Sequence, residues 1–155
     1  LDAQNNIDSL AEIARDSYIQ VISYLISFER HSQLSLIFYG AFIESMYLSF
    51  EYIDNYTESN DLIQKIATQK YAFDNLYGLS QLYLTKENNE KVVNNIEKIK
   101  TIYESMTINK SLESENPQSK DDKLVIDGDE EIVMSEIQFN QFKELITGIR
   151  NELIH

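Results

Sequence analysis

A chain of 155 residues, 43% apolar and 25% charged, is long enough for one domain with a proper core. Four Gly and one Pro are too few for an all-β fold built on tight turns, and the absence of Cys excludes disulfides, thiolate metal sites and cysteine nucleophiles. The net charge of −13 repels phosphate backbones and anionic lipid, which argues against a nucleic-acid partner.

Ile7, Leu10, Ala14, Tyr18, Val21, Leu25 and Phe28 recur at steps of three and four, the stripe of an amphipathic helix that Asn6 or Asp8 can cap. "ERHSQ" breaks the pattern near residue 30. The next segment, about Gln33 to Tyr56, is apolar nearly all round and predicts the central helix of a bundle, with Gly40 permitting a close helix crossing. No apolar run has the length of a membrane span; the longest, "LSLIFYGAFIESMYLSF", is broken by Glu44. "TESND" supplies a break and several helix caps.

Leu62, Ile66, Gln69, Phe73, Leu76, Ser80 and Tyr83 make a third stripe. "TKENNE" reads as a polar turn, and Val92, Ile96, Ile99, Tyr103 and Met106 make a fourth stripe. Residues 109–123 are polar and aperiodic and read as a surface loop. In "KLVIDGDEEIVMS" two β-branched runs flank Asp127-Gly128, the signature of a short β-hairpin. Ser135 and Gln138 form a capping box that opens a last helix, with Phe139, Phe142, Ile146, Ile149 and Leu153 on one face. The expected architecture is all-α. It is a single domain, residues 1–155, folded as an up-down antiparallel bundle of four to five helices, with the polar loop and hairpin at 109–134 before the last helix.

Chemistry is sparse. Asp121, Asp122, Asp127, Asp129, Glu130 and Glu131 cluster, but "DGDEEIVMSEIQ" has Ile132 where a calcium loop needs Gly, so a solvated hairpin tip is expected and no metal. His31 has no Glu three residues before it, and Glu152 with His155 gives one Glu-x-x-His spacing where a carboxylate-bridged metal bundle needs two; there is no phosphate loop or nucleophile elbow either, so no cofactor is expected. Glu44 is the one formal charge between Arg30 and Glu51. A carboxylate on a buried helix needs a hydrogen bond or a cation, and a Tyr hydroxyl or Lys70 is the expected partner. Should it act on a ligand instead, Glu44 and Tyr47 are the candidate binding residues of a small pocket.

The ending "IRNELIH" resembles the Arg-Asn-x-x-x-His signature of HEPN-domain ribonucleases, all-α bundles that use such an Arg and His, usually at a dimer interface, to cleave RNA. The resemblance assigns Arg150, Asn151 and His155 as catalytic residues, with His as general acid or base and Arg stabilising the phosphorane-like charge. Residues five apart on a continuing helix lie about 140° apart, so Arg150 and His155 do not share a face, and the sequence stops where that family continues. The plainer reading has Arg150 and His155 complementing a helix C-terminus.

A second resemblance covers more of the chain. "SLIFYGAFIESMYLSFEYI" resembles the central helix of an uncharacterised family of exported helical-bundle lipoproteins from Bacteroidetes, which reads Gly-Gly-Trp-Ile-Glu-Gly-Leu-Tyr. Gly40, Ile43, Glu44 and Tyr47 match, while Phe42 and Ser45 depart from it. "IATQKYAFDNLYGL", through Gln69, Lys70, Asp74, Asn75 and Leu76, "IEKIKTIYESM" and the closing helix extend it from about Ile7 to Ile154. This resemblance implies a non-enzymatic binding or scaffolding domain at the cell envelope. Its signal and lipid anchor would have been removed before Leu1, its partner would be a protein or small ligand, and a homodimer is compatible. Non-enzymatic scaffolding is the expectation carried forward, with the HEPN ribonuclease as its alternative.

Overall fold

The computed structural model describes residues 3–57, 59–110 and 130–154. Among them the chain forms α1 (Ala3–Ser27), α2 (His31–Glu51), α3 (Asp61–Thr68), α4 (Lys70–Tyr83), α5 (Lys86–Ser105), β1 (Thr107–Lys110), β2 (Glu130–Val133) and α6 (Glu136–Ile154). The fold is the expected all-α bundle, with one small antiparallel sheet just before the last helix.

α2 is central and packs against α1, α3, α4 and α6. Its inward face is Tyr39, Ile43, Met46 and Phe50, buried at four-three-four spacing. α4 answers with Phe73, Leu76 and Ser80, α5 with Val93, Ile96, Ile99 and Tyr103, and α6 with Phe139, Phe142, Ile146 and Ile149. Aromatic rings join the layers. Phe142 meets Phe50 edge-on at 5.3 Å and Tyr103 edge-on at 5.0 Å, and Phe73 lies 5.3 Å from Tyr103. Edge-to-face pairs of this kind contribute about 0.5–1.5 kcal/mol each beyond their buried area. The Tyr103 hydroxyl donates to the Ile66 carbonyl at 3.3 Å, and among the described residues no buried side-chain polar atom lacks a partner.

Several expectations change. The third stripe is two helices. The Gln69 amide donates to both the Lys65 and Ile66 carbonyls, a tightened turn from which α4 restarts, while the Asn60 side chain caps α3 by accepting from the Leu62 amide at 2.8 Å. α5 begins inside "TKENNE", at Lys86, and kinks at Asn89 (φ −139°, ψ 35°). α1 is already helical from Ala3, so Asn6 and Asp8 lie within it and not at its cap. A Cβ on Gly40 would meet nothing within 4 Å, so no helix crossing depends on that glycine.

The sheet is also paired differently. β2 sits where the second hairpin arm was expected, but its described partner is β1, with Thr107 opposite Val133 and Ile108 opposite Ile132. Ile132 and Met134 are buried and hold this strand against the bundle, where β2 packs on α3, so tertiary burial sets the pairing. The expected first arm and the Asp127-Gly128 turn lie outside the described residues.

α1 departs most from expectation. From Ser9 to Phe28 only Leu25 is buried and only Ile22 is half-buried, so most of its apolar stripe faces solvent. It ends in a Schellman arrangement: the Arg30 amide donates to the Leu25 carbonyl at 2.8 Å and the Glu29 amide to the Ile26 carbonyl at 3.1 Å. Glu29 sits at φ 55°, the left-handed position where a glycine is usual.

Candidate functional site at the α2–α6 seam

The start of α6 is fixed by the capping box read from the sequence. The Ser135 amide donates to Gln138 Oε1 at 2.8 Å, the Gln138 amide donates to Ser135 Oγ at 3.4 Å, and Gln138 Nε2 donates to the Ser105 carbonyl at 2.7 Å. With that start pinned and four apolar residues turned inward, Lys143 and Arg150, seven apart, fall on the flank facing α2.

The facing flank of α2 carries Glu44 and Glu51, also seven apart, so the antiparallel helices meet on two charged rungs. Lys143 Nζ donates to the Phe50 carbonyl at 3.1 Å and lies 3.9 Å from Glu51. At the other rung Arg150 Nε donates to Glu44 Oε2 at 3.1 Å and a terminal nitrogen to Oε1 at 3.4 Å. The guanidinium carbon lies 4.4 Å from the centroid of the Tyr47 ring, which therefore forms one wall of the site.

Glu44 is not the core carboxylate expected from its apolar neighbours. Its side chain is 47% exposed and that of Arg150 26%, because the core face of α2 runs through Tyr39, Ile43, Met46 and Phe50 and leaves Glu44 on the rim. Its partner is Arg150, 106 residues away, and not Lys70, which instead donates to Asp74 at 2.7 Å. The Glu44 hydrogen bond is the main influence holding the Arg150 guanidinium above its ordinary pKa, and the charges of Glu44, Tyr47 and Glu51 act in the same direction. Arg150 is thus a permanent cation whose orientation is set from two sides.

Arg150 therefore directs its head-group hydrogen bonds sideways to Glu44, which its placement near a helix end did not foretell. The neighbouring Asn151 is exposed, and His155 lies outside the described residues. A guanidinium has five N–H donors. Glu44 takes two of them, so a planar anion such as phosphate can be met by those that remain.

Other contacts gave no sign in the sequence because their partners are distant along the chain. Asn95 Nδ2 donates to the buried Tyr39 hydroxyl at 3.2 Å, and burial is the main cause that raises that hydroxyl's pKa, with the Glu152 charge adding to it. Between α4 and α5, Lys100 donates to the Tyr77 hydroxyl at 3.3 Å, which donates to Glu97 at 3.2 Å. His31 stacks on Tyr83 at 4.7 Å, closing the start of α2 onto the end of α4.

Among the described residues no group of three or more His, Asp or Glu is placed to hold a metal, and no helix is long and apolar enough to cross a membrane. Asp121, Asp122, Asp127 and Asp129 lie outside the described residues. No family model matches the chain, and no curated protein or solved structure is significantly similar to it.

Proposed function

We propose that the chain is the ribonuclease of its two resemblances, with the Arg150 end of α6 as its working site. The observation that carries this is the state of Arg150. The one arginine of the Arg-Asn-x-x-x-His stretch is held at the bundle surface by Glu44 and Tyr47, with donors left over. A cation fixed before substrate arrives needs no reorganisation as charge develops on a phosphoryl group.

In this reading His155 takes the proton of an RNA 2′-hydroxyl as its oxygen attacks the adjacent phosphorus. The bond to the 5′-oxygen breaks, leaving a 2′,3′-cyclic phosphate, and water supplies the proton that the departing oxygen takes up. Arg150 bears on the non-bridging oxygens throughout, and Glu44 positions Arg150 without touching substrate.

The test is cleavage of a mixed-sequence single-stranded RNA by the wild-type chain and by Arg150→Ala, His155→Ala and Glu44→Gln, with circular-dichroism melts alongside. Loss of one oriented donor should lower the rate by roughly 10²-fold or more. Arg150→Lys should not restore it, because an ammonium lacks the planar fork. Glu44→Gln should lower it less, and melting should be unchanged in all four. No cleavage by the wild type, or full cleavage by Arg150→Ala, overturns the reading. The net charge of −13 favours a second one, a non-catalytic binding or scaffolding domain at the cell envelope, and that is what remains if RNA is neither cut nor bound.

A further inference from the structure

We infer that α1 is a self-association surface, pairing antiparallel with α1 of a second copy of this chain and crossing it at Ser17. The inference stands apart from the ribonuclease reading. It begins from an apolar face that the fold leaves uncovered. Leu10, Ile13, Val21 and Tyr24 are between 48% and 68% exposed on a helix whose sole well-buried side chain beyond Ser9 is Leu25. A contiguous apolar patch of that kind marks an interaction site.

The layout of the patch says what covers it. Leu10 and Tyr24 lie seven residues either side of Ser17, and Ile13 and Val21 lie four either side. At 3.6 residues per turn all four project within about 40° of the direction of Ser17. The stripe therefore reads the same in both directions. A two-fold interface needs this, since each residue i must meet j while j meets i. Placed head to tail with Ser17 at the dyad, Leu10 of one chain meets Tyr24 of the other and Ile13 meets Val21. The small residue at the crossing lets the helix axes approach to about 8 Å.

Charge selects the same face. The chain as a whole carries −13, so two copies repel wherever their acidic surfaces meet. Between Ser9 and Phe28 the charged residues are Glu12, Arg15 and Asp16, a net of −1, and Arg15 lies within 3.9 Å of Glu12 and 3.8 Å of Asp16. All three sit off the apolar stripe. Four large, half-exposed apolar side chains of each α1 lie on the stripe, fewer than an interface of roughly 800 Å² per partner buries, so the expected pairing is weak and concentration-dependent.

The absence of Cys makes the test direct, because each introduced thiol is the sole one. Light scattering of the full chain at on the order of 10 μM should give twice the 18.1 kDa chain mass, a concentration suited to a micromolar dimer. Leu10→Glu should lower that mass to the monomer without changing the circular-dichroism melt, since Leu10 is exposed within one chain. Ser17→Cys should cross-link to a disulfide dimer under mild oxidation, because the crossing brings the two Cα atoms within about 7 Å. Ser9→Cys should not, because antiparallel pairing holds the two Ser9 positions about 24 Å apart. A monomer mass for the wild type, a dimer indifferent to Leu10→Glu, or Ser9→Cys cross-linking as readily as Ser17→Cys each overturns the proposal. The last would mean parallel or unregistered pairing.

Discussion

Replacing Tyr103 with Phe removes one buried hydroxyl and keeps the ring that bridges Phe73 and Phe142. Below pH 9 the variant loses the hydrogen bond to Ile66, which at 3.3 Å is long. The Ile66 carbonyl still accepts from the Gln69 amide, so no acceptor is stranded and the cost is about 1 kcal/mol or less. Alkaline pH reverses the comparison. Burial raises the Tyr103 pKa far above its ordinary 10.0, so the folded chain keeps the proton while the unfolded chain releases it above pH 10. The unfolded state then binds fewer protons than the folded one, and stability falls as pH rises. At pH 11 this tyrosine alone lowers wild-type stability by about 1.4 kcal/mol relative to neutral pH. Tyr103→Phe escapes that loss. Urea unfolding of both proteins should therefore show the variant less stable at pH 8, level with the wild type between about pH 10 and 10.7, and more stable above. A stability difference that stays constant from pH 8 to 11.5 would refute the reasoning, since it would mean that Tyr103 ionises as easily folded as unfolded.

Two further substitutions probe the fold. Glu29→Gly relieves a left-handed backbone position at the end of α1 and should raise stability by about 0.5–1 kcal/mol, read as an increase in urea midpoint; a decrease would mean that the Glu29 side chain contributes more than its strain. Phe142→Ala empties the junction of α2, α5 and α6 and should lower stability by about 3–5 kcal/mol, a loss visible in the thermal melt.

The helix interiors were legible because burial on one face leaves a three-four rhythm, and Phe139, Phe142, Ile146 and Ile149 are buried as that rhythm implies. The Ser135–Gln138 cap was legible for the same reason: it is a local contact between residues three apart. What failed to show is non-local. The rhythm runs unbroken through Gln69, whose dihedrals remain helical, so nothing announces the restart between α3 and α4. β1 holds one large apolar residue, Ile108, among polar neighbours, and it is a strand because β2 lies beside it. α1 carries the rhythm without the burial, since periodicity reports that a face is apolar and not what covers it. At the site, Glu44 and Arg150 each stood out alone, but no pattern links residues 106 positions apart, and the half-exposed pair follows from the antiparallel register of α2 and α6.

The small sheet and Gln138 together staple both ends of one chain segment. Lys110 is paired across to Glu130, and Gln138 joins the start of α6 back to the end of α5. The junction of α5 and α6 is thereby clamped by the strand pair and by Gln138. Because that clamp is made by residues on either side of the interval, a peptide epitope spliced between residues 110 and 130 should leave α5 and α6 in register.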